Sequence, residues 1–193
     1  MKDPEPLIPK YGGYRKLKSY RMAQLIRDVT ALFCEQFVDE ESRTWERMMQ
    51  AAESGAQKIA EGSQAGEGSK KTELKLTTIA RASLDELRLL YVGFLRQQEL
   101  PLWVPEDPRR AELVARRPRT MDEVMQWAED NSGQHGQDGQ PPNAETMANA
   151  ALALISMAFS VLERQLSAQT RIVRHEANLA ERLRRSRLAE WPE

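Results

Sequence analysis

The chain has 193 residues, enough for one substantial core with helices appended to it. Its 28 Lys and Arg nearly balance 29 Asp and Glu, so the formal net charge of −1 provides no global field that would draw in nucleic acid, although local basic patches remain open. The single cysteine, Cys34, excludes an internal disulfide framework, and residues 1–13 lack the apolar core of a signal peptide. No apolar stretch approaches the roughly 20 residues that span a bilayer, so the expected location is cytoplasmic. Charged residues make up 30% and aromatics 6%, and Ala, Leu, Met, Glu, Gln and Arg are abundant, which favours long amphipathic helices over strands.

An arm with Pro4, Pro6 and Pro9 precedes a first helix over 14–38, in which Met22, Leu25, Ile26, Val29, Leu32, Phe33 and Phe37 recur at helical spacing. A polar turn (Asp39, Glu40, Glu41) leads to Ser42, a cap for a second helix over 42–61. That helix aligns Trp45, Met48, Met49, Ala52, Ala56, Ile59 and Ala60, and Gly55 in its small-residue middle points to close approach of a neighbour. A Gly/Ser turn over 62–68, with left-handed glycines, precedes Ser69, the cap of a third helix. This helix runs to about residue 100, buries Leu76, Ile79, Ala80, Ser83, Leu87, Leu90, Tyr91 and Phe94, and is stopped by Pro101.

Residues 102–142 read as an insertion. Asp107-Pro108 starts a short helix to about 117, Thr120 and Glu123 match a capping box for another to about 130, and 131–142 are Gly-rich and polar enough to be flexible. Asn143 caps the last long helix. Its stripes, Met147, Ala150, Ala151, Leu154, Met157, Ala158 and Val161 beside Leu152, Ile155, Phe159, Leu162 and Leu166, imply contact on two sides, by its own bundle and by a second subunit. The expected fold is an all-α antiparallel up-down four-helix bundle with a helical insertion before helix four and an extended C-terminal helix. Its parts are an arm (1–13), helices one to three (14–100), the insertion (101–142), helix four (143–169) and a basic helical tail (170–193).

Catalytic and metal chemistry find little support in the residues. The loop from Gly62 to Lys70 fails the phosphate-loop spacing and follows no strand, although Ser69, Lys70 and Lys71 at a helix start suit weak anion binding. Glu61, Glu73, Asp85 and Glu86 are candidate paired acids, but acids so placed cap helices or make surface pairs. His135 and His175 stand apart with no cysteine cluster, so no metal site is expected, and no cofactor. Cys34 reads as a small buried apolar residue.

Cations are the better candidates for a nucleic-acid-binding surface. Arg15, Lys16, Lys18 and Arg21 open helix one, and Lys70 and Lys71 open helix three. Arg109, Arg110, Arg116, Arg117 and Arg119 lie in the insertion, and Arg171, Arg174, Arg182, Arg184, Arg185 and Arg187 stud the tail. For any one cluster the plain alternative is a solvated face balanced by nearby acids; the tail is the exception, because its positives outnumber its acids.

Three segments resemble the four-helix-bundle family of 23S rRNA intervening-sequence proteins, which includes the accessory variability determinant of diversity-generating retroelements. They are Tyr14-Arg15-Lys16-Leu17-Lys18-Ser19-Tyr20; Ile59-Ala60-Glu61-Gly62, with Lys58 where the family has Asn; and Gly68-Ser69-Lys70-Lys71-Thr72-Glu73 followed by Ile79-Ala80-Arg81-Ala82-Ser83-Leu84-Asp85-Glu86-Leu87. The resemblance covers roughly 14–100. It implies a barrel-like homopentamer without catalytic activity, and a partner such as a reverse transcriptase together with RNA or DNA. Residues and resemblance together give the leading expectation: a non-catalytic oligomeric scaffold or accessory protein binding nucleic acid, a nucleic-acid enzyme, or both. The alternative is a protein-protein adaptor with no nucleic-acid binding, and neither involves a membrane.

Overall fold

The computed structural model describes residues 13–132 and 142–189, and of 187–189 the backbone alone. Among these residues every regular element is helical: a 3-10 turn (Gly13–Lys16), then α1 (Lys18–Phe37), α2 (Arg43–Ala65), α3 (Lys70–Gln97), α4 (Pro108–Arg116), α5 (Met121–Asn131) and α6 (Ala144–Ala189). The anticipated caps operate as such. Ser42 accepts the N–H of Trp45, Ser69 that of Thr72, Asp107 that of Arg109, Thr120 that of Glu123 and Asn143 that of Thr146, each satisfying an N–H that the helix itself leaves unpaired. The box at Thr120 is displaced by one residue, since the Glu123 carboxylate accepts from the N–H of Arg119 (2.6 Å).

Element boundaries depart from the sequence reading in three places. Leu17 is extended (φ −66°, ψ 130°), so residues 14–16 form a separate 3-10 turn and α1 begins at Lys18. Helix α2 continues through Gly62 to Ala65. A Cβ at Gly62 would stand 3.2 Å from that of Leu76, so the missing side chain lets α3 approach closely. The glycines of the following turn are not left-handed: Gly66 has φ −63°, and a Cβ there would displace the flexible Glu73 carboxylate. Finally, α3 ends in a Schellman arrangement, with Leu100 N–H on the Leu95 carbonyl (2.9 Å) and Glu99 N–H on that of Arg96 (3.3 Å). Glu99 takes the left-handed position (φ 53°), so the helix has turned before Pro101.

Helix α1 packs on α2 and α6, and α3 packs on α2 and α6, closing a ring of four long helices. Helices α2 and α3 run in opposite directions: Gly62 faces Leu76, Gly55 faces Leu84, and Arg47 pairs with Glu86. Leu84 is fully buried because Gly55 opens a hole for it, whereas Ile79 is 36% exposed. The buried face of α3 is therefore Thr77, Ala80, Leu84, Leu87, Tyr91, Phe94 and Leu95, rotated slightly from the expected stripe. In the centre Phe33 meets Tyr91 and Phe94 edge-on at 4.9 Å, and the Tyr91 hydroxyl donates to Thr30, whose own hydroxyl donates to the Ile26 carbonyl.

The segment read as an insertion is part of the same core. Helices α4 and α5 pack onto α6, α5 also touches α1, and Trp103, Leu113, Val124 and Trp127 are buried with the bundle residues. This explains the two apolar stripes of α6. Residues 146–151 are buried all round because α1 and α3 cover one side while the chain's own α4 and α5 cover the other. Most of the Gly-rich loop (133–141) and the arm (1–12) lie outside the described residues. The expectation that nothing here is long and apolar enough to cross a membrane needs correction: α6 passes that test over an 18-residue window, 61% of which is buried inside the chain, as a core helix would be.

Candidate nucleic-acid interface

The helices sort the candidate cations to two ends of the molecule. At one end the loop before α4 is clamped to α6: Trp103 N–H donates to Asn149 Oδ1 (2.9 Å), Asn149 Nδ2 donates to the Pro101 carbonyl (2.9 Å), and the indole of Trp103 donates to Glu145 (2.7 Å). At the other end Ser19 donates to Gln165 (2.7 Å), and Gln169 donates to Glu73 (3.0 Å) and Thr77 (3.1 Å), tying the starts of α1 and α3 to the same stretch of α6. Asn149 and Gln165 are about 24 Å apart along the helix at 1.5 Å per residue.

The insertion cations are largely engaged within the fold. The Arg109 guanidinium stacks on Trp103 (3.9 Å to the ring centroid) and pairs with Asp107 (2.9 Å) and Glu145 (3.4 Å). The side-chain hydrogen bond from Arg109 holds the Asp107 carboxyl below its ordinary range, and the same bond raises the guanidinium. Arg110 donates to the Pro105 carbonyl (3.1 Å) and to Ser156 (3.2 Å), stitching α4 to α6. Arg116 pairs with Glu112 and Asp130, and the hydrogen bond to Glu112 is the main reason its pKa is raised. Arg117 occupies the left-handed cap of α4 (φ 51°) and is exposed, as is Arg119.

The opposite end gathers the rest. Arg15, Lys16, Lys18 and Arg21 are exposed around the 3-10 turn and the start of α1, where Arg21 donates to the Arg15 carbonyl (3.1 Å). Lys71 is exposed at the start of α3, while Lys70 pairs with Glu73 (3.1 Å). From this end α6 runs on past Gln169, the last buried residue of the helix among those whose side chains are described (5% exposed), and Arg171, Arg174, Arg182, Arg184 and Arg185 are all exposed. Arg171, Arg174, Arg182 and Arg185 stand three, eight and three residues apart and so share one face, a stripe about 21 Å long. Arg184 and Arg185 share Glu181, and Arg171, Arg174 and Arg182 have no ion pair among the described residues. The side chain of Arg187 lies outside the described residues.

The candidate acids stay apart. Glu61 is held below its ordinary pKa by the Lys58 hydrogen bond (2.7 Å), Asp85 pairs with Arg88 (2.8 Å), Glu86 with Arg47 (2.8 Å) and Glu73 with Lys70. No group of three His, Cys, Asp or Glu side chains converges among the described residues; His175 is exposed on α6 and His135 lies outside them. Cys34 is buried, and burial pushes its thiol up to about 12, so it is no nucleophile. Sequence reasoning missed Gln169 as the joint between core and projecting helix. Its signal was a polar residue on the face shared by Leu162 and Leu166, where an apolar one is the rule. No family model, curated protein or solved structure matches the chain.

Proposed function

We propose that this chain is a non-catalytic scaffold, its four long helices an up-down bundle, that binds RNA or DNA through the basic end where α1 and α3 begin and the arginine stripe of α6 projects. The observation that carries the reading is the gathering of Arg15, Lys16, Lys18, Arg21 and Lys71 with that stripe at one end, while Arg109, Arg110 and Arg116 are satisfied internally at the other. A phosphate backbone rewards such a surface by releasing condensed counterions, with no need for a pocket. The projecting helix is then a phosphate-tracking arm on a rigid base, in a cytoplasmic assembly whose expected mass, by the family resemblance, is five chains.

Binding of fluorescein-labelled single-stranded RNA, read by anisotropy across a salt series, tests the reading. The wild-type chain is expected to bind with a steep salt slope. Replacing Arg171, Arg174, Arg182 and Arg185 by Gln should reduce that slope by about 0.7 for each single-strand phosphate that is no longer neutralised. Absence of RNA and DNA binding at low salt, with the bundle intact by circular dichroism, would discard it. Light scattering of the same sample gives the subunit number, and a mass of one chain would discard the oligomeric part alone.

A further inference from the structure

The projecting part of α6 has a second face. Ile172, Leu179 and Leu183 are 44%, 49% and 53% exposed and stand seven and four residues apart, which aligns them in one ridge. Val173 and Ala180 form its shoulder. A helix surrounded by solvent is ordinarily polar all round, so three large aliphatic side chains in register are unexplained by the chain itself. Leu154 and Gln165 stand on the same face eighteen and seven residues earlier, Leu154 buried in the core and Gln165 accepting the Ser19 hydroxyl, so the ridge continues an established packing seam. Among the described residues no helix runs on beside the whole ridge, because α1 begins at Lys18, next to the Ser19 that meets Gln165, and α3 begins at Lys70, about one to two turns past the Glu73 and Thr77 that meet Gln169.

Charge selects the occupant. Arg171, His175 and Arg182 border the ridge on one side, while Arg174 and Arg185 lie behind it and Arg184, about 120° round the helix, pairs with Glu181. A parallel second copy of this helix would set Arg171 and Arg182 against themselves along the seam. We infer that the ridge docks an acidic amphipathic helix of a partner protein, its Leu or Ile positions packing on Ile172, Leu179 and Leu183 and its Glu or Asp positions facing the bordering arginines. Glu176, in line with the ridge, calls for one Lys or Arg at the matching position of the partner. Docking of this kind shares Arg171 and Arg182 with the nucleic-acid stripe but also needs the aliphatic side chains, which nucleic-acid binding does not use.

The test uses the full chain and synthetic amphipathic peptides of about three heptads, with Leu at the seam positions and either Glu or Lys at the flanking ones. Titration calorimetry is expected to show one acidic peptide bound per chain. Leu179→Ser with Leu183→Ser should weaken it by at least about tenfold, with helix content otherwise unchanged. The same double variant should leave RNA affinity within about twofold, so failure of this inference and of the RNA reading are distinguishable. Three results would overturn the proposal: no acidic peptide bound, equal binding of the Lys peptide, or equal binding by the ridge variant. A ridge-dependent doubling of mass without peptide would replace the partner with a second copy. Ridge-dependent binding to phosphatidylserine vesicles, with no peptide binding, would replace it with a membrane surface.

Discussion

The two halves of α6 share one continuous helix and almost nothing else. From 146 to 155 nearly every side chain is buried, and Ala148, Ala150, Ala151 and Ala153 have no more than a methyl group to hold neighbouring helices apart. From 170 to 186 no side chain is fully buried, and arginine replaces alanine as the recurrent residue. Helicity therefore has two sources. In the first half it comes from tertiary packing on both sides, whereas the second half extends a helix already nucleated, which removes the costly first turn without adding any packing. Nothing among the described residues supplies to the second half what α1, α3, α4 and α5 supply to the first.

That contrast predicts opposite sensitivities to one substitution. Leu154→Ala, at a fully buried position, is expected to cost about 3 kcal/mol by transfer and cavity terms together. Leu179→Ala, half exposed beyond the core, should stay within about 0.5 kcal/mol. Urea unfolding followed by circular dichroism gives both numbers, and a comparable destabilisation from the two would show that the projecting half is already packed.

Alkaline pH should likewise act on the packed region. Burial raises the Cys34 thiol from 9.0 to about 12 and raises the Tyr91 hydroxyl as well, so the folded chain keeps two protons that the unfolded chain releases. The associated stability is full below about pH 9 and is lost as pH climbs from there toward 12. Thermal midpoints measured across that window should fall for the wild-type chain and fall less for Cys34→Ala; identical slopes would mean that the thiol titrates alike in the folded and unfolded states. Tyr91→Phe removes the second proton but leaves the Thr30 hydroxyl bonded to Ile26, so it should cost only about 1 kcal/mol at neutral pH.

Much of this architecture was legible in the chain, because the signals are local. Ser42, Ser69, Asp107-Pro108, Thr120 and Asn143 mark helix starts through bonds to N–H groups two or three residues on, and short spacing survives in sequence. What escaped depends on distant partners. The rotation that buries Leu84 in place of Ile79 is fixed by Gly55 on another helix, and Thr77 enters the core because Gln169, 92 residues later, bonds to it. At the site the tail arginines were visible as a surplus of charge. The engagement of Arg109 by Trp103 and Glu145 was not, since no periodic pattern links a loop tryptophan to the start of α6.

Glycine gives the finest version of the comparison between packed and open faces. Gly55 and Gly93 both sit inside helices, where each costs about 1 kcal/mol relative to Ala. A Cβ on Gly55 would lie 2.8 Å from Leu84 Cδ2 and 3.0 Å from its Cγ, and Leu84 has no exposed surface into which to retreat. The propensity gained by Gly55→Ala is then outweighed by overpacking, and a net loss of about 1 kcal/mol is expected. A Cβ on Gly93 meets nothing within 4 Å, so Gly93→Ala should gain nearly the whole propensity term, about 1 kcal/mol. Denaturation at two protein concentrations separates this outcome from its rival. If the outer face of α3 lies against another copy in solution, Gly93→Ala would instead lower stability, and more so at the higher concentration, because the added methyl would hold the two surfaces apart.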